Sequence, residues 1–275
     1  MPPASPAPRK PRPDPSPADI VLVRREGWVA TVTLNRPDKL NALNKVMWRR
    51  LGEIMRELSA DDAVRVVVLR GAGDKAFSPG ADIAEFSDQR ADAGQAKRYG
   101  AIMHETMYAI AECRHPTVAL IQGICVGGGL EIALCCDIRI AGAGARLGVP
   151  INKLGLVMAY PEIEALIGLV GRSTALEILF EARVFDAAEA LSKRLVNRVV
   201  PDAKVVEEAY ATASRIADGA PLVNRWHKKF AARLNDPKPL SQAEMDEGYA
   251  CFDTEDYRIG YRAFLQKRKP EFGGS

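Results

Sequence analysis

Residues 127–136 read Gly127-Gly128-Gly129-Leu130-Glu131-Ile132-Ala133-Leu134-Cys135-Cys136, which places one carboxylate in the first turn of an otherwise apolar helical pattern. Ionised carboxylates are almost never fully buried without a partner, because desolvation of a lone charge is costly. Glu131 is therefore either a core residue bonded to backbone groups or to Arg139, or a functional acid/base. The run alone leaves both interpretations open.

The three glycines favour a functional site. Glycine lets the backbone approach a ligand closely, and a helix start leaves N–H groups without acceptors and partly positive. If the helix begins near Gly128, the N–H of that residue lies on the same side as Glu131, three residues on. A hydrogen-bond donor and a carboxylate can then face one small site.

A second unusual stretch lies upstream and predicts another backbone donor. It reads Phe77-Ser78-Pro79-Gly80-Ala81-Asp82-Ile83-Ala84-Glu85-Phe86 and follows the apolar strand candidate Val64–Leu69. Pro79 and Gly80 favour a tight turn from which the Ala81 N–H points outward, and Asp82 is typical of residues that fix such a loop. Two backbone donors from separate loops are what an oxyanion hole needs.

These residues, with four further segments in the same order, resemble the enoyl-CoA hydratase/isomerase (crotonase) superfamily. The resemblance spans nearly the whole body of the chain, and its segments are Leu34-Asn35-Arg36-Pro37-Asp38-Lys39-Leu40-Asn41-Ala42-Leu43, Gly80-Ala81-Asp82, the glycine-rich helix start with Glu131, Cys136-Asp137-Ile138-Arg139, Leu154-Gly155-Leu156 and Ala263-Phe264-Leu265-Gln266-Lys267-Arg268-Lys269-Pro270.

The resemblance implies an α/β fold, with a crotonase-like ββα spiral core and a C-terminal helical trimerisation region. The core is expected at 19–215 and the helical region at 216–275. Eight of the eighteen prolines lie between Pro2 and Pro17, so residues 1–18 are expected to be a disordered tail. The expected assembly is a homotrimer or hexamer. The expected partner is an acyl-CoA substrate, with coenzyme A entering as part of the substrate and no other cofactor. Ala81 and Gly128 are expected to form the oxyanion hole, and Glu131 to be the catalytic acid/base.

One position departs from the hydratase pattern. In that pattern a second catalytic glutamate follows a proline, in the segment just before a Leu-Gly pair, which is Leu154-Gly155 here. Here Ile151 follows Pro150, so this side of the substrate pocket is predicted to be apolar and two-carboxylate hydration is in doubt. Three alternatives follow. Glu131 carries out hydration alone, the enzyme uses one-base chemistry such as double-bond migration or decarboxylation instead, or another polar group takes the place of the second glutamate. The candidates for that group are Glu162, Glu164 and Tyr160, although acids at 162 and 164 are typical of a helix first turn.

Coenzyme A carries phosphates, so cationic side chains are expected beside its groove. By position in the resemblance, the CoA-binding candidates are Lys39, Ala81, Asp82, Ile83 and Lys267. For both lysines a solvated surface charge is an equal alternative. The favoured function is enoyl-CoA hydratase; the alternatives are an enoyl-CoA isomerase or acyl-CoA decarboxylase with a single acid/base, and a non-catalytic acyl-CoA-binding subunit.

Composition argues against several other classes of protein. Net charge is +3, and the first eighteen residues carry three basic residues against one acidic residue, which leaves a near-neutral body with no nucleic-acid surface. The apolar stretch 117–140 is interrupted by glycines and acids, so no membrane span is expected. The five cysteines show no paired or metal-ligand spacing, which suits reduced core thiols in a cytoplasmic enzyme. His104, His115 and His227 form no metal cluster pattern.

Hydrophobic periodicity predicts a mixed fold. Strands are expected at Ile20–Val23 and Val29–Leu34, as a hairpin around Gly27, and then at Val64–Leu69, Thr117–Ile121 and Ile138–Ala141. Asn44 is expected to cap a helix ending near Ser59. Short apolar runs separated by helices indicate a mostly parallel sheet. From about Tyr160 the pattern predicts successive helices with almost no strand, broken by turns near residues 171–173, 218–221 and 235–237.

Overall fold

The computed structural model describes residue 16 and residues 18–275, so the proline-rich tail predicted for 1–18 lies almost wholly outside the described residues. The strands are β1 (Val21–Glu26), β2 (Val29–Leu34), β3 (Val66–Gly71), β4 (Ala76–Ser78), β5 (Thr117–Ile121), β6 (Ile124–Val126), β7 (Ile138–Gly142), β8 (Arg146–Gly148), β9 (Val184–Asp186) and β10 (Arg198–Val200). The α-helices are α1 (Lys45–Ala60), α2 (Phe86–Gln89), α3 (Ala93–Ala111), α4 (Gly128–Leu134), α5 (Tyr160–Glu181), α6 (Ala187–Ser192), α7 (Val205–Ala217), α8 (Pro221–Arg233), α9 (Gln242–Glu247) and α10 (Glu255–Leu265).

The strands form two sheets. The larger sheet has the order β1-β2-β3-β5-β7-β10, in which β1 and β2 are antiparallel and every other pair is parallel. The smaller sheet has the order β4-β6-β8-β9, with β4, β6 and β8 parallel and β9 antiparallel to β8. The mixed, mostly parallel architecture predicted from the sequence is confirmed.

One structural unit recurs along the chain. A strand of the large sheet leads into a short strand of the small sheet and then into a helix, as β3-β4-α3, β5-β6-α4 and β7-β8-α5, with α2 inserted in the first unit. This is the ββα repeat that the resemblance implies. Each repeat places a loop and a helix start beyond a short strand, so Ala81 and Gly128 occupy equivalent places in successive units.

The central strands of the large sheet are buried on both faces. Val66 and Val68 of β3 belong to a core cluster with α7, whereas Val67 and Leu69 belong to the main core with α1 and α3. Parallel sheets covered on both sides carry near-continuous apolar strands rather than alternating ones. That is why the central strands are recognisable in the sequence as short apolar runs.

Most predicted elements agree with the structure within two residues. Asn44 caps α1, since its side chain accepts a hydrogen bond from Met47 N at 2.9 Å. After Tyr160 the chain is mainly helical, as predicted, but two short strands were missed. β9 and β10 each add three residues to a sheet edge, too few for a periodic signal. The turn predicted at 171–173 is a kink within α5, where Gly171 has φ +76°.

No helix among the described residues is long and apolar enough to cross a membrane.

Candidate active site

A cavity of about 480 Å³ lies where the small sheet meets α3, α4 and α5. Its lining includes the three residues on which the sequence analysis depends, Ala81, Gly128 and Glu131. The loop after β4 carries Ala81, and the start of α4 carries the other two. The structure thus brings the two predicted backbone donors and the predicted acid/base to one cavity.

The Ala81 N–H is available to a ligand because its neighbours are used to hold the loop. Leu43 N donates to Gly80 O and Asp82 N donates to Leu43 O, each at 2.8 Å. Residue 81 sits between these bonds as a parallel bridge partner of Leu43, so its own N–H points the other way. Within the described chain the Ala81 N–H has no acceptor. Gly128 is the first residue of α4, and its N–H has no acceptor one turn earlier.

Glycine at position 80 lets the two donors approach each other. Gly80 has φ +95°, and a Cβ built there would lie 2.9 Å from Gly128 N and 2.9 Å from Val126 O. A side chain would therefore press on the second amide of the proposed oxyanion hole. The adjacent Gly129 is required for packing, since a Cβ there would lie 2.2 Å from Ser78 O.

Glu131 is buried, with 5% of its surface exposed, and its carboxylate has no hydrogen bond or ion pair with any described residue. The interpretation as a core residue bonded to Arg139 is wrong, because Arg139 donates to the carbonyl oxygens of Leu195 and Cys136. Burial raises the pKa of Glu131 to about 8; the charge of Glu162 adds to the rise and Arg90 opposes it. A carboxyl group with such a pKa holds a proton at neutral pH, so it can act as an acid or a base.

The loop that carries Ala81 is fixed by Asp82, as expected. The Asp82 carboxylate accepts hydrogen bonds from Arg36 Nη2 at 2.8 Å and from Ala84 N at 3.2 Å, and lies 3.5 Å from Lys39 Nζ. Partial burial would raise the pKa of Asp82, but the hydrogen bonds from Arg36 and Ala84 outweigh it and hold the pKa below its ordinary value. Asp82 therefore stays ionised and keeps the loop in place.

The remaining predicted residues divide into those that line the cavity and those that do not. Pro150 and Ile151 line it from a single 3₁₀ turn, Pro150–Leu154, and Ile83 lines it with 60% of its surface exposed. Lys39 and Lys267 do not belong to the lining of the single chain. Tyr160 is 91% exposed and Glu164 is exposed, and neither lines the cavity of the described chain.

Two residues that the sequence analysis ranked low do line the cavity. Glu162 is buried at 8% exposure, and its Oε1 lies 2.9 Å from His104 Nε2. The sequence pattern placed Glu162 in a helix first turn, which is correct; His104 lies within α3. No local signal shows that α3 and α5 face each other across the cavity, so their contact could be found only from the packing.

Nucleophilic cysteine and metal chemistry find no support in the described chain. All five cysteines are free thiols, and burial strongly raises the pKa of Cys125. No group of three or more metal-binding side chains occurs among the residues that the structure describes.

Comparison with known proteins agrees with this geometry. A family model described as enoyl-CoA hydratase/isomerase matches residues 24–275. A short-chain-enoyl-CoA hydratase of Clostridium acetobutylicum is 35% identical over 253 residues, covering 91% of this chain and 96% of the relative. A crotonyl-CoA hydratase of Syntrophomonas wolfei is 34% identical over 254 residues, covering 92% of this chain and 97% of the relative.

Solved structures agree in fold over nearly the same span. A crystal structure described as an enoyl-CoA hydratase/carnithine racemase from Magnetospirillum magneticum is 55% identical with a TM-score of 0.92, covering 94% of this chain and 96% of the other. The enoyl-CoA hydratase of Bacillus anthracis is 30% identical with a TM-score of 0.85, covering 93% and 100%. The fold is therefore the crotonase fold, and the chain belongs to the enoyl-CoA hydratase/isomerase family.

Proposed function

We propose that this protein is an enoyl-CoA hydratase, which adds water reversibly to the double bond of a 2-enoyl-CoA. The observation that carries the proposal is the convergence on one cavity of two N–H groups without acceptors, at Ala81 and Gly128, and an unpaired carboxyl group at Glu131. Relatives named as hydratases of short enoyl-CoA and crotonyl-CoA support the same reaction.

The two amides suit the charge that develops in this reaction. When water adds at Cβ, negative charge builds on the thioester oxygen, and that oxygen is placed between Ala81 N and Gly128 N. Preorganised donors in a site shielded from water can contribute roughly 3–4 kcal/mol each to the stability of such a transition state. Because the donors are backbone groups held by the loop and the helix start, they need little reorganisation during the reaction.

Glu131 is proposed to move the proton at Cα. Its carboxyl group belongs to the same helix turn as the Gly128 N–H, so a thioester held by the amides presents its α and β carbons to the acid. With a pKa raised to about 8, Glu131 is mostly protonated at neutral pH and can give a proton to the enolate carbon. The reverse reaction, loss of water, uses the ionised form to remove that proton.

The CoA portion is proposed to leave the cavity past the loop of Ala81, Asp82 and Ile83, where Lys39 lies beside Asp82. Lys267 follows α10 and lies outside the cavity lining of its own chain, so its proposed contact with CoA requires a neighbouring subunit. We propose a cytoplasmic homotrimer or hexamer. Large apolar side chains exposed in the single chain support assembly; they include Phe180 at 72%, Phe264 at 83% and Leu265 at 75% exposure.

The test is the loss of enoyl absorbance when the purified protein is mixed with crotonyl-CoA. We expect turnover by the wild type and a fall in kcat of about a thousandfold or more in Glu131→Gln, since that change removes the proton and keeps the shape. Glu105→Gln is the matched control, because Glu105 is exposed on α3 and absent from the cavity lining. Equal rates in Glu131→Gln and wild type would remove Glu131 from the mechanism, and no turnover by the wild type would refute the hydratase proposal.

Ile151 favours a second candidate, an enoyl-CoA isomerase or acyl-CoA decarboxylase that uses Glu131 as its single acid/base. An apolar wall at position 151 leaves fewer polar partners for a catalytic water. Conversion of a 3-enoyl-CoA to the 2-enoyl isomer, without hydration of the product, would decide for the isomerase. Binding of acyl-CoA without any turnover would decide for the non-catalytic subunit.

A further inference from the structure

Hydration of an enoyl thioester moves protons at two places. The water oxygen that bonds to Cβ must lose a proton, and Cα must gain one. Glu131 provides one proton-transfer group, and the side chain of Ile151 can provide none. A second titratable group on the same cavity would complete the reaction without requiring Glu131 to serve both positions.

The structure provides such a group from two other helices. Glu162 Oε1 and His104 Nε2 lie 2.9 Å apart, with side-chain exposures of 10% and 24%. Glu162 lies in the first turn of α5, His104 lies in α3, and both line the cavity that Glu131 lines from α4. Three helices therefore bring two carboxyl groups and one imidazole to a single cavity.

Glu162 is close enough to Glu131 for their charges to interact. After burial, the charge of Glu162 is the main cause of the raised pKa of Glu131. Like charges shift each other's titration only at short range, particularly where water is excluded. Glu162 and Glu131 thus line one cavity, within the range at which their charges interact.

A structural role as a helix cap explains only part of what Glu162 does. Its Oε2 accepts a hydrogen bond from Ala159 N at 2.5 Å, which is the usual arrangement of an acid in a first turn. A cap needs neither burial nor an imidazole on the other oxygen. Glu164, two residues along the same helix, is exposed and makes no such contact, so burial at position 162 is specific to the side of α5 that faces the cavity.

We propose that the Glu162–His104 pair is the second proton-transfer group of this active site, in place of a carboxylate at position 151. The inference rests on the proposed hydration. One proton of the water passes to the pair and is shared between Oε1 and Nε2, while the water oxygen bonds to Cβ. The π electrons of the double bond move into the enolate, and Glu131 gives its proton to Cα. After product leaves, the pair returns a proton to Glu131 through water, so the protein regains its starting state.

The charged surroundings fit a site that must hold both acids. The charged or titratable side chains that line the cavity in the described part of the chain are Arg90, Lys97, His104, Glu131 and Glu162. The Arg90 guanidinium lies 4.8 Å from the ring centre of Phe86 and lowers the pKa of Glu131. Arg90 opposes the repulsion that arises when Glu131 is ionised beside Glu162.

Steady-state kinetics of the full chain with crotonyl-CoA test the proposal. Glu162→Gln keeps the shape and the acceptor for Ala159 N, and His104→Gln keeps a polar side chain, so each removes a basic group without leaving an apolar side chain in its place. We expect each to lower kcat about a hundredfold or more and to leave KM within about threefold. The double variant should lose no more than the worse single variant, because the two residues act as one unit.

The pH profile separates proton transfer from a structural effect. If the pair transfers a proton, Glu162→Gln and His104→Gln should change the shape of the kcat profile against pH, and not only its height. The matched controls are Glu164→Gln on α5 and Glu105→Gln on α3, both exposed and outside the cavity lining, which should behave as wild type.

Each outcome decides the matter. Wild-type kcat in both single variants, or losses that multiply in the double variant, would overturn the pair. If Glu162→Gln also lowers the thermal midpoint, His104→Gln decides, because His104 caps no helix. A wild type that hydrates no enoyl-CoA refutes the proposed function, whereas an active wild type with active variants refutes only the role of the pair.

Discussion

The cavity has two walls that are built by different means. The first, the amide wall, consists of Gly80, Ala81, Gly128 and Glu131 and is fixed by a tight turn and a helix start. The second, the helix wall, consists of His104, Ile151 and Glu162 and depends on how α3 and the segment leading into α5 pack together. A wall made of backbone needs particular residues at particular positions, so it leaves a local pattern. A contact between side chains of two packed helices, such as that of His104 with Glu162, leaves none.

The largest expected effect is that of Glu131→Gln on the pH dependence of the free energy of unfolding. It shows whether the carboxyl group of the amide wall is buried and protonated in the folded protein. The folded pKa of Glu131 is about 8, against an ordinary value of 4.5. Between these values the native state binds more protons than the unfolded state, so this group makes the free energy of unfolding fall as pH rises, by about 1.4 kcal/mol per pH unit. From pH 5 to pH 8, Glu131→Gln should gain about 4 kcal/mol relative to wild type.

Urea unfolding of both proteins at several pH values measures this difference. Below pH 4.5 the two curves should run parallel, since Glu131 is then protonated in both states. Glu164→Gln, on the exposed side of α5, should follow the wild type throughout. If the free energies of unfolding of Glu131→Gln and wild type changed in parallel from pH 5 to 8, the carboxyl group of Glu131 would not be desolvated. The amide wall would then lack the buried, protonated acid that distinguishes it from the helix wall.

A somewhat smaller effect is expected from a methyl group placed between the two amides. In Gly80→Ala the new Cβ would lie 2.9 Å from Gly128 N, so the amides must separate or turn. Loss of one effective oxyanion donor should lower kcat by about a hundredfold to a thousandfold. Gly73→Ala is a close control, since Gly73 also has positive φ, at +75°, but a Cβ there meets nothing within 4 Å.

The control separates backbone strain from the close contact. Alanine at either position should cost roughly 1–2 kcal/mol of stability through its left-handed backbone. Only the change at position 80 should impair turnover. Equal losses of kcat in the two variants would mean that Gly80 matters for folding alone and that the amides do not form the oxyanion site.

The same difference between the walls explains what could be predicted from the sequence. Ala81, Gly128 and Glu131 were identified because glycines at tight turns and an acid in an apolar helix are unusual without a structural or chemical reason. The central strands were identified because a sheet covered on both sides is apolar along its length. Residues whose backbone or burial imposes a constraint on sequence were therefore found where the structure places them.

The helix wall was found only in part: Ile151 and Glu162 were candidates, but His104 and its contact with Glu162 were not predicted. Glu162 obeys the ordinary preference for acids in a first turn, which conceals any second role, and His104 has no neighbours in sequence that distinguish it from a surface histidine. Their 2.9 Å contact joins residues 58 positions apart on different helices. Strands β9 and β10 were missed for a related reason, since each is three residues long and is defined by its pairing rather than by its composition.

The smallest expected effect is that of Lys39→Ala on the affinity for CoA. It concerns a charge at the outer edge of the amide wall and leaves the shape of the wall unchanged. Lys39 Nζ lies 3.5 Å from the Asp82 carboxylate, and its side chain is 45% exposed. An exposed lysine contributes weakly to phosphate binding, so Lys39→Ala should weaken CoA binding about twofold to fivefold. Calorimetric titration with CoA at low and high salt measures this, and the difference from wild type should shrink as salt rises.

Lys204→Ala, at an exposed ion pair before α7, should leave affinity unchanged. If Lys39→Ala binds CoA as tightly as the wild type at low salt, Lys39 acts only on the loop through Asp82, and the amide wall must bind its substrate without help from this cation.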